Sequence, residues 1–231
     1  MSLDRQAGPN PAGTLPACYA ALHGEMLRQY ERYVALGGHW VLYVFLGFEH
    51  LAACAGSYYL QTAGVRLRWP YALLWLVQTG VALGAVRLAQ ARTRVAGSPL
   101  KRHVNRTWLI FLLLCWNVAI LNVLAGQPVF VFLPVMATLS SFAFLVLTML
   151  VSRRFLPAAL TMWMTAGLIA RFPQYGFLLY GTAWLLVLEA LGVVFFRKQR
   201  YWRAANGIPA PLHPQRFNGK AVREVSPVGQ G

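Results

Sequence analysis

Residues 39–61 read HWVLYVFLGFEHLAACAGSYYLQ, an apolar stretch long enough to cross a bilayer as one helix. Apolar runs of spanning length recur along the chain, at 69–89, 107–125, 128–151, 155–172 and 174–196. Helices are expected in these runs because an isolated strand would leave its backbone polar groups unpaired in lipid. The sequence therefore predicts an all-α polytopic membrane protein with six transmembrane helices.

The composition of the whole chain agrees with a membrane location. Hydrophobic residues make up 58% of the 231 positions and charged residues only 12%, whereas soluble domains carry about 25% charged residues. So little charge cannot cover a water-facing surface, which excludes an ordinary soluble globule, a disordered chain and a disulfide scaffold. We expect the helices to contact a lipid bilayer, that of a plasma or inner membrane.

Basic residues are distributed unevenly between the loops. The chain has 21 Lys and Arg against 6 Asp and Glu, a formal charge of +15. Their position beside apolar runs is typical of membrane orientation signals and not of nucleic-acid binding. With the N-terminus inside, 18 of the 21 lie in inside segments, and the outside segments hold Arg66, Arg68 and Arg171. This bias predicts that both termini are cytoplasmic, where the basic loops and tail can contact anionic lipid.

The six spans divide the chain into three regions. Residues 1–38 form a cytoplasmic N-terminal segment, 39–196 the transmembrane domain, and 197–231 a basic cytoplasmic tail rich in Pro and Gly. Within the first region, residues 16–36 carry an apolar face that includes Leu22 and Met26. This pattern predicts an amphipathic helix, lying either in the membrane interface or against the cytoplasmic loops.

Motifs for several common membrane-enzyme chemistries do not occur in the sequence. Asp4 is the only aspartate, so the clustered aspartates that hold Mg²⁺ in lipid-modifying enzymes are missing. No phosphate-binding loop, nucleophile elbow or zinc-binding helix is found. The sequence thus favours no catalytic activity, no metal and no cofactor. The alternative to the absence of a cofactor is a haem bound between His39 and His103, which lie at the cytoplasmic ends of the first and third spans.

Polar residues recur near one depth of the predicted bundle. They are Glu49 and His50, Gln78 and Thr79, Asn117, Ser140 and Ser141, Thr165, and Glu189, so that every span contributes. A charge at the bilayer centre costs about 2.5–3.5 kcal/mol, so we expect both glutamates to face the interior of the bundle. The Ser and Thr residues are expected to mediate helix packing, as is the G-x-x-x-G spacing of Gly80 and Gly84.

The first span has a face of small and polar residues. His39, Tyr43, Gly47, His50, Cys54 and Ser57 recur at spacings of 4, 4, 3, 4 and 3. These intervals place them along one side of a helix. Such a face either lines a hydrated path or packs closely against a neighbouring helix, and the sequence leaves both open.

These patterns favour a small-solute or proton-linked transporter or channel. Its midplane site would consist of Glu49, His50 and Glu189, with Gln78 and Asn117 as a hydrogen-bonding wall, and one of the glutamates would exchange a proton. The first alternative is a non-catalytic membrane subunit, sensor or assembly factor that binds a partner subunit or a second copy. The second is a lipid-modifying enzyme in which His50 and Glu49 act as acid and base.

Overall fold

The computed structural model describes residues 24–25, 40–92, 99–128 and 131–205. This described part is all-α, 90% helical and without a strand, which confirms the predicted fold class. The amphipathic helix predicted over 16–36 lies outside the described residues, apart from Gly24 and Glu25, which are helical. His39 and the tail beyond Ala205 also lie outside them.

Six α-helices follow one another from Trp40 onwards. We number them α1 Trp40–Thr62, α2 Trp69–Arg92, α3 Pro99–Leu124, α4 Leu133–Leu150, α5 Leu156–Arg171 and α6 Gly176–Ala205. Short 3-10 turns, Arg153–Phe155 and Pro173–Tyr175, precede α5 and α6. Among the described residues, α1, α2, α3, α4 and α6 are long and apolar enough to cross a membrane. The 16 residues of α5 extend roughly 24 Å, so a crossing by α5 stays a prediction.

Two helices extend past their apolar segments. Helix α3 begins at Pro99 rather than at 107, and α6 ends at Ala205 rather than at 196. The added turns contain Lys101, Arg102, Arg197 and Arg200. Lys and Arg are good helix formers, and hydrogen bonding within a helix does not depend on lipid. Hydropathy therefore marks where the apolar part of each helix ends and not where the helix itself ends.

Helices α1 and α3 end in the same kind of glycine turn. Gly64 and Gly126 have φ of 72° and 71°, in the left-handed region that favours glycine. After α1, the Val65 N–H donates to the Leu60 carbonyl at 3.0 Å and the Gly64 N–H to the Gln61 carbonyl at 3.1 Å. This pair of bonds is the Schellman motif. We call the end of the bundle that contains residues 63–68, 125–128 and 172–175 the Gly64 end.

Helices α1 and α6 form the closest pair and run antiparallel. Trp40 meets Phe196 near one end, with ring centroids 5.1 Å apart, and Cys54 meets Gly181 towards the other. A Cβ at Gly181 would lie 2.6 Å from the Cβ of Cys54, and one at Gly47 would lie 3.2 Å from a methyl of Leu185. Small residues therefore allow the two backbones to approach closely, as they do at many membrane helix interfaces.

Helices α2 and α3 lie at the periphery. Their outward faces expose large apolar side chains, among them Leu76 and Val77 on α2 and Leu113 and Ile120 on α3. On membrane helices such faces suit acyl chains, which agrees with contact with a lipid bilayer. Gly80 and Gly84 belong to this outer face, and a Cβ at either position would meet no neighbouring helix of the described chain within 4 Å. The expectation that they mediate packing within the chain is therefore wrong: α2 faces α1 through another side.

Candidate functional site

Three of the five predicted site residues meet between α1 and α2. The Gln78 Nε2 atom donates a hydrogen bond to Glu49 Oε2 at 3.0 Å. The same nitrogen lies 3.5 Å from Nδ1 of the neighbouring His50. All three side chains are half-buried and lie near the middle of their helices. One amide group thus bridges the two ionisable residues that the sequence places at mid-depth.

His50 is surrounded by aromatic rings from two other helices. The ring centroids of Trp75 on α2, and of Tyr180 and Trp184 on α6, lie 5.5, 5.3 and 5.3 Å from that of the imidazole. The rings meet at steep angles, which is the arrangement that aromatic pairs prefer. Within this enclosure, Nε2 of His50 is buried and has no hydrogen-bond partner among the described residues.

A hydroxyl pair connects this enclosure to α4. Ser140 Oγ donates to the Met136 carbonyl at 2.8 Å, and the Tyr180 hydroxyl lies 3.0 Å from Ser140 Oγ. A serine hydroxyl has a single proton to donate, so Tyr180 must be the donor in the second bond. The orientation of Tyr180 beside His50 is therefore held from α4, and four helices contribute to the site.

Three other polar residues of the midplane donate hydrogen bonds to backbone carbonyls. Thr79 and Thr165 donate to carbonyls of their own helices, those of Trp75 and Thr161, both at 2.8 Å. Ser141 donates across the bundle to the Ala159 carbonyl at 2.8 Å and joins α4 to α5. Ser141 therefore has the expected role between helices, whereas the hydrogen bonds of Thr79 and Thr165 stay within one helix.

The structure does not bring Asn117 and Glu189 to the cluster of Glu49, Gln78 and His50. Asn117 is exposed on α3. This helix packs inward through Trp108 and Phe111, and nine residues at roughly 100° each turn Asn117 to the side opposite Trp108. Glu189 is half-buried on α6, five residues after Trp184, and its Oε1 atom is buried without a hydrogen-bond partner among the described residues.

The small and polar face of α1 packs against α6. Gly47, Cys54 and Ser57 are buried there, so close packing is what this face does over most of its length. Three of its polar atoms nevertheless lack a hydrogen-bond partner among the described residues: His50 Nε2, Ser57 Oγ and Gln61 Oε1. Buried polar groups are rarely left unsatisfied, and ordered water is their usual partner when protein groups are missing.

Gln61 is a residue that the sequence reasoning missed. It lies four residues after Ser57, so the spacing that defined the face of α1 extends to it without a break. It also lines a cavity of about 450 Å³ at the Gly64 end, together with Gly64, Val65, Arg66, Arg68, Tyr71, Gly126, Gln127, Pro128 and Phe177. The eleven residues from His50 to Gln61 correspond to roughly 16 Å of helix. The three atoms therefore follow α1 from His50, beside Glu49, through Ser57 to Gln61 in the cavity wall.

The haem alternative stays a prediction. His103 is exposed near the start of α3, and His39 lies outside the described residues. Within the part of the chain that the structure describes, no three His, Cys, Asp or Glu side chains form a group that could hold a metal ion.

Comparisons of the chain with protein-family models, with curated proteins and with solved structures find no match. The helices themselves define the broad class. Five of them are long and apolar enough to cross a bilayer, and their outer faces are apolar. The chain is a multi-pass membrane protein.

Proposed function

We propose that the protein moves protons across its membrane, alone or together with a small solute, and that Glu49 is the exchangeable acid. The observation that carries this proposal is the cluster of Glu49, Gln78 and His50 halfway along membrane-length helices. An ionisable group at that depth costs about 2.5–3.5 kcal/mol, and such groups commonly mark proton and ion pathways.

The hydrogen bond from Gln78 suits a carboxyl that gains and loses a proton. The carboxylate accepts this bond, and a protonated carboxyl still offers its carbonyl oxygen as an acceptor. Glu49 can therefore release a proton without losing its connection to α2. His50, beside it, is a second proton acceptor, and its Nε2 atom belongs to the face of α1 that continues through Ser57 to Gln61.

Water held by these unpartnered atoms would complete the path. In this proposal a proton passes from the cavity along the Gln61, Ser57 and His50 positions and reaches the Glu49 carboxyl. Glu189 is the other acid within the spans, and its buried Oε1 has no hydrogen-bond partner in the described part of the chain. Its place on α6, which runs antiparallel to α1, assigns it in this proposal to the half of the path nearer Trp40. Asn117 takes no part, since it faces outward.

The proposed topology has six crossings and cytoplasmic termini. It is supported by the bias of 18 basic residues to 3 between the two sides. In this topology the Gly64 end faces the outside of a plasma or inner membrane, and α5 is a short sixth span. The cavity then opens on the side from which an inward proton gradient acts.

A subunit or sensor is the second candidate, and one observation favours it. Gly80 and Gly84 lie on the exposed face of α2, where a Cβ would meet none of the described neighbouring residues within 4 Å. A helix of another chain could approach this surface closely. An enzyme acting on lipid is less well supported, because His50 Nε2 is buried rather than presented to the bilayer.

The test is Glu49→Gln, measured for proton flux in liposomes under an imposed pH gradient, which drives protons that move alone or together with a solute. An amide keeps the shape of the side chain and one acceptor oxygen but cannot exchange a proton. We expect flux to fall at least tenfold while the protein stays folded, with the free energy of unfolding reduced by about 1 kcal/mol as a charged hydrogen bond becomes a neutral one.

The matched control is Thr79→Val, one residue after Gln78. The Thr79 hydroxyl bonds within its own helix, so this variant should conduct like the unmodified protein. Unchanged flux in the Glu49→Gln variant would contradict the proposal. Unchanged flux together with a fall of several kcal/mol in the free energy of unfolding would identify Glu49 as a structural partner instead, since breaking a buried pair costs about 3–5 kcal/mol.

A further inference from the structure

We propose that the cavity at the Gly64 end binds a small anion carrying a carboxylate or phosphate group, and that this anion is the solute that moves with the proton. The first half of this proposal stands on the cavity alone. The second half rests on the proposed function of Glu49.

The side chains that line the cavity carry a net positive charge. Arg66 and Arg68 both contribute to its wall, and none of the ten lining residues is acidic. Two arginines at one cavity suit an oxyanion, because the guanidinium group matches the geometry of carboxylate and phosphate. A cationic solute would be repelled by them, and a neutral solute would gain only uncharged hydrogen bonds.

Contacts within the protein hold Arg68 and the turn that carries Arg66. The Arg68 guanidinium donates to the Val123 carbonyl and thereby joins α2 to the end of α3. This bond uses one of its five N–H groups, so the remaining donors are available to a ligand. The Tyr71 hydroxyl donates to the Val65 carbonyl at 3.3 Å, which secures the turn beside Arg66. The cavity is thus a built part of the fold.

Helix ends add to the positive potential. Tyr71 and Phe177 lie in the first turns of α2 and α6, so the N-termini of both helices border the cavity. The dipole of each helix favours an anion at its N-terminus. The C-termini of α1 and α3 lie at the same end of the bundle. Carbonyls in their last turns accept hydrogen bonds from the glycine turns, and the Val123 carbonyl also accepts one from Arg68.

Size and position relate the cavity to transport. A volume of about 450 Å³ falls within the roughly 300–1,000 Å³ of small-molecule sites. Gln61 belongs both to this cavity and to the face of α1 that leads to His50. A bound anion would therefore lie at the start of the proton path. Movement of a proton with the anion cancels the charge that would otherwise cross hydrocarbon, which favours an electroneutral pair.

Binding is tested on the full-length protein in nanodiscs of phosphatidylcholine, by calorimetric titration with lactate and with inorganic phosphate. We expect saturable binding of at least one anion, weakened tenfold or more by Arg66→Gln. Arg171→Gln is the matched control, because Arg171 is exposed at the same end but does not line the cavity. Arg68→Lys keeps the charge beside Val123 while removing the planar fork, and it should also weaken binding.

A second set of nanodiscs containing phosphatidylglycerol identifies the source of the anionic group. Undiminished lactate or phosphate binding there supports a free anion. If that binding is lost with phosphatidylglycerol and returns without it, the arginines bind a lipid headgroup. This result would contradict the proposal that the site holds the transported solute. No saturable binding in phosphatidylcholine, or binding equal in Arg66→Gln and the unmodified protein, would overturn the proposal.

The two proposals fail separately. Glu49→Gln leaves the cavity intact, so it should bind the anion normally while losing proton flux. Proton flux through Glu49 without any anion binding would remove this inference and leave the proposed function standing. Arginine-dependent binding with flux indifferent to Glu49 would establish the site and remove its coupling to protons.

Discussion

Ser57 offers the sharpest test of whether the face of α1 is hydrated. Its side chain is 0% exposed, and its hydroxyl has no partner among the described residues. Ser141 is a matched position on α4, 5% exposed, whose hydroxyl donates to the Ala159 carbonyl at 2.8 Å. Replacing each serine by alanine removes one buried hydroxyl, and the two changes differ only in what that hydroxyl contacts.

The expected sign of the stability change follows from that contact. Ser141→Ala should lower the free energy of unfolding by about 0.6 kcal/mol, and at most about 1.7, the range for hydrogen bonds between membrane helices. If Ser57 is dry, alanine removes an unsatisfied group that costs about 1–3 kcal/mol, and the protein becomes more stable. If water bonds to Ser57, alanine loses that bond and stability falls by about 0.5–1.5 kcal/mol.

We expect the second result for Ser57→Ala, together with reduced proton flux. Unfolding in mixed micelles, titrated with a denaturing detergent, measures the free energy, and liposomes from the same preparation measure the flux. Ser141→Ala should lose stability and retain its flux. A Ser57→Ala protein more stable by 1 kcal/mol or more, with unchanged flux, would refute the hydrated face and leave only close packing between α1 and α6.

Two further predictions concern packing and topology. Gly181→Ala places a methyl 2.6 Å from α1 and should cost about 1–3 kcal/mol in the same titration. Gly80→Ala, whose methyl would meet no described neighbour within 4 Å, should be neutral or gain up to about 1 kcal/mol; equal effects would contradict the close contact. Reporter fusions after Gly97 and Ala204 should indicate the cytoplasm, and one after Gln127 the opposite side. A fusion after Gly97 on the same side as Gln127 would disprove the six-span topology.

The depth of the candidate site follows from the sequence, but its membership does not. Glu49, Gln78 and Asn117 all lie near the centre of apolar runs, and counting residues along a helix gives depth directly at 1.5 Å each. Depth leaves the rotation of each helix undetermined. Helix α3 turns Trp108 and Phe111 inward, so Asn117 faces out, whereas α2 turns Trp75 and Gln78 towards α1. Burying those large rings decides the rotation.

By itself the sequence determined that this is a helical membrane protein, because apolar run length and backbone hydrogen bonding in lipid are local requirements. It also determined that Glu49 and His50 lie near the middle of their helix. Only the tertiary structure decided that Gln78 joins them, that aromatic rings from α2 and α6 enclose His50, and that Arg66 and Arg68 line one cavity. Those contacts join residues far apart in the chain, and they depend on how side chains of different volume fit between helices, which no single segment encodes.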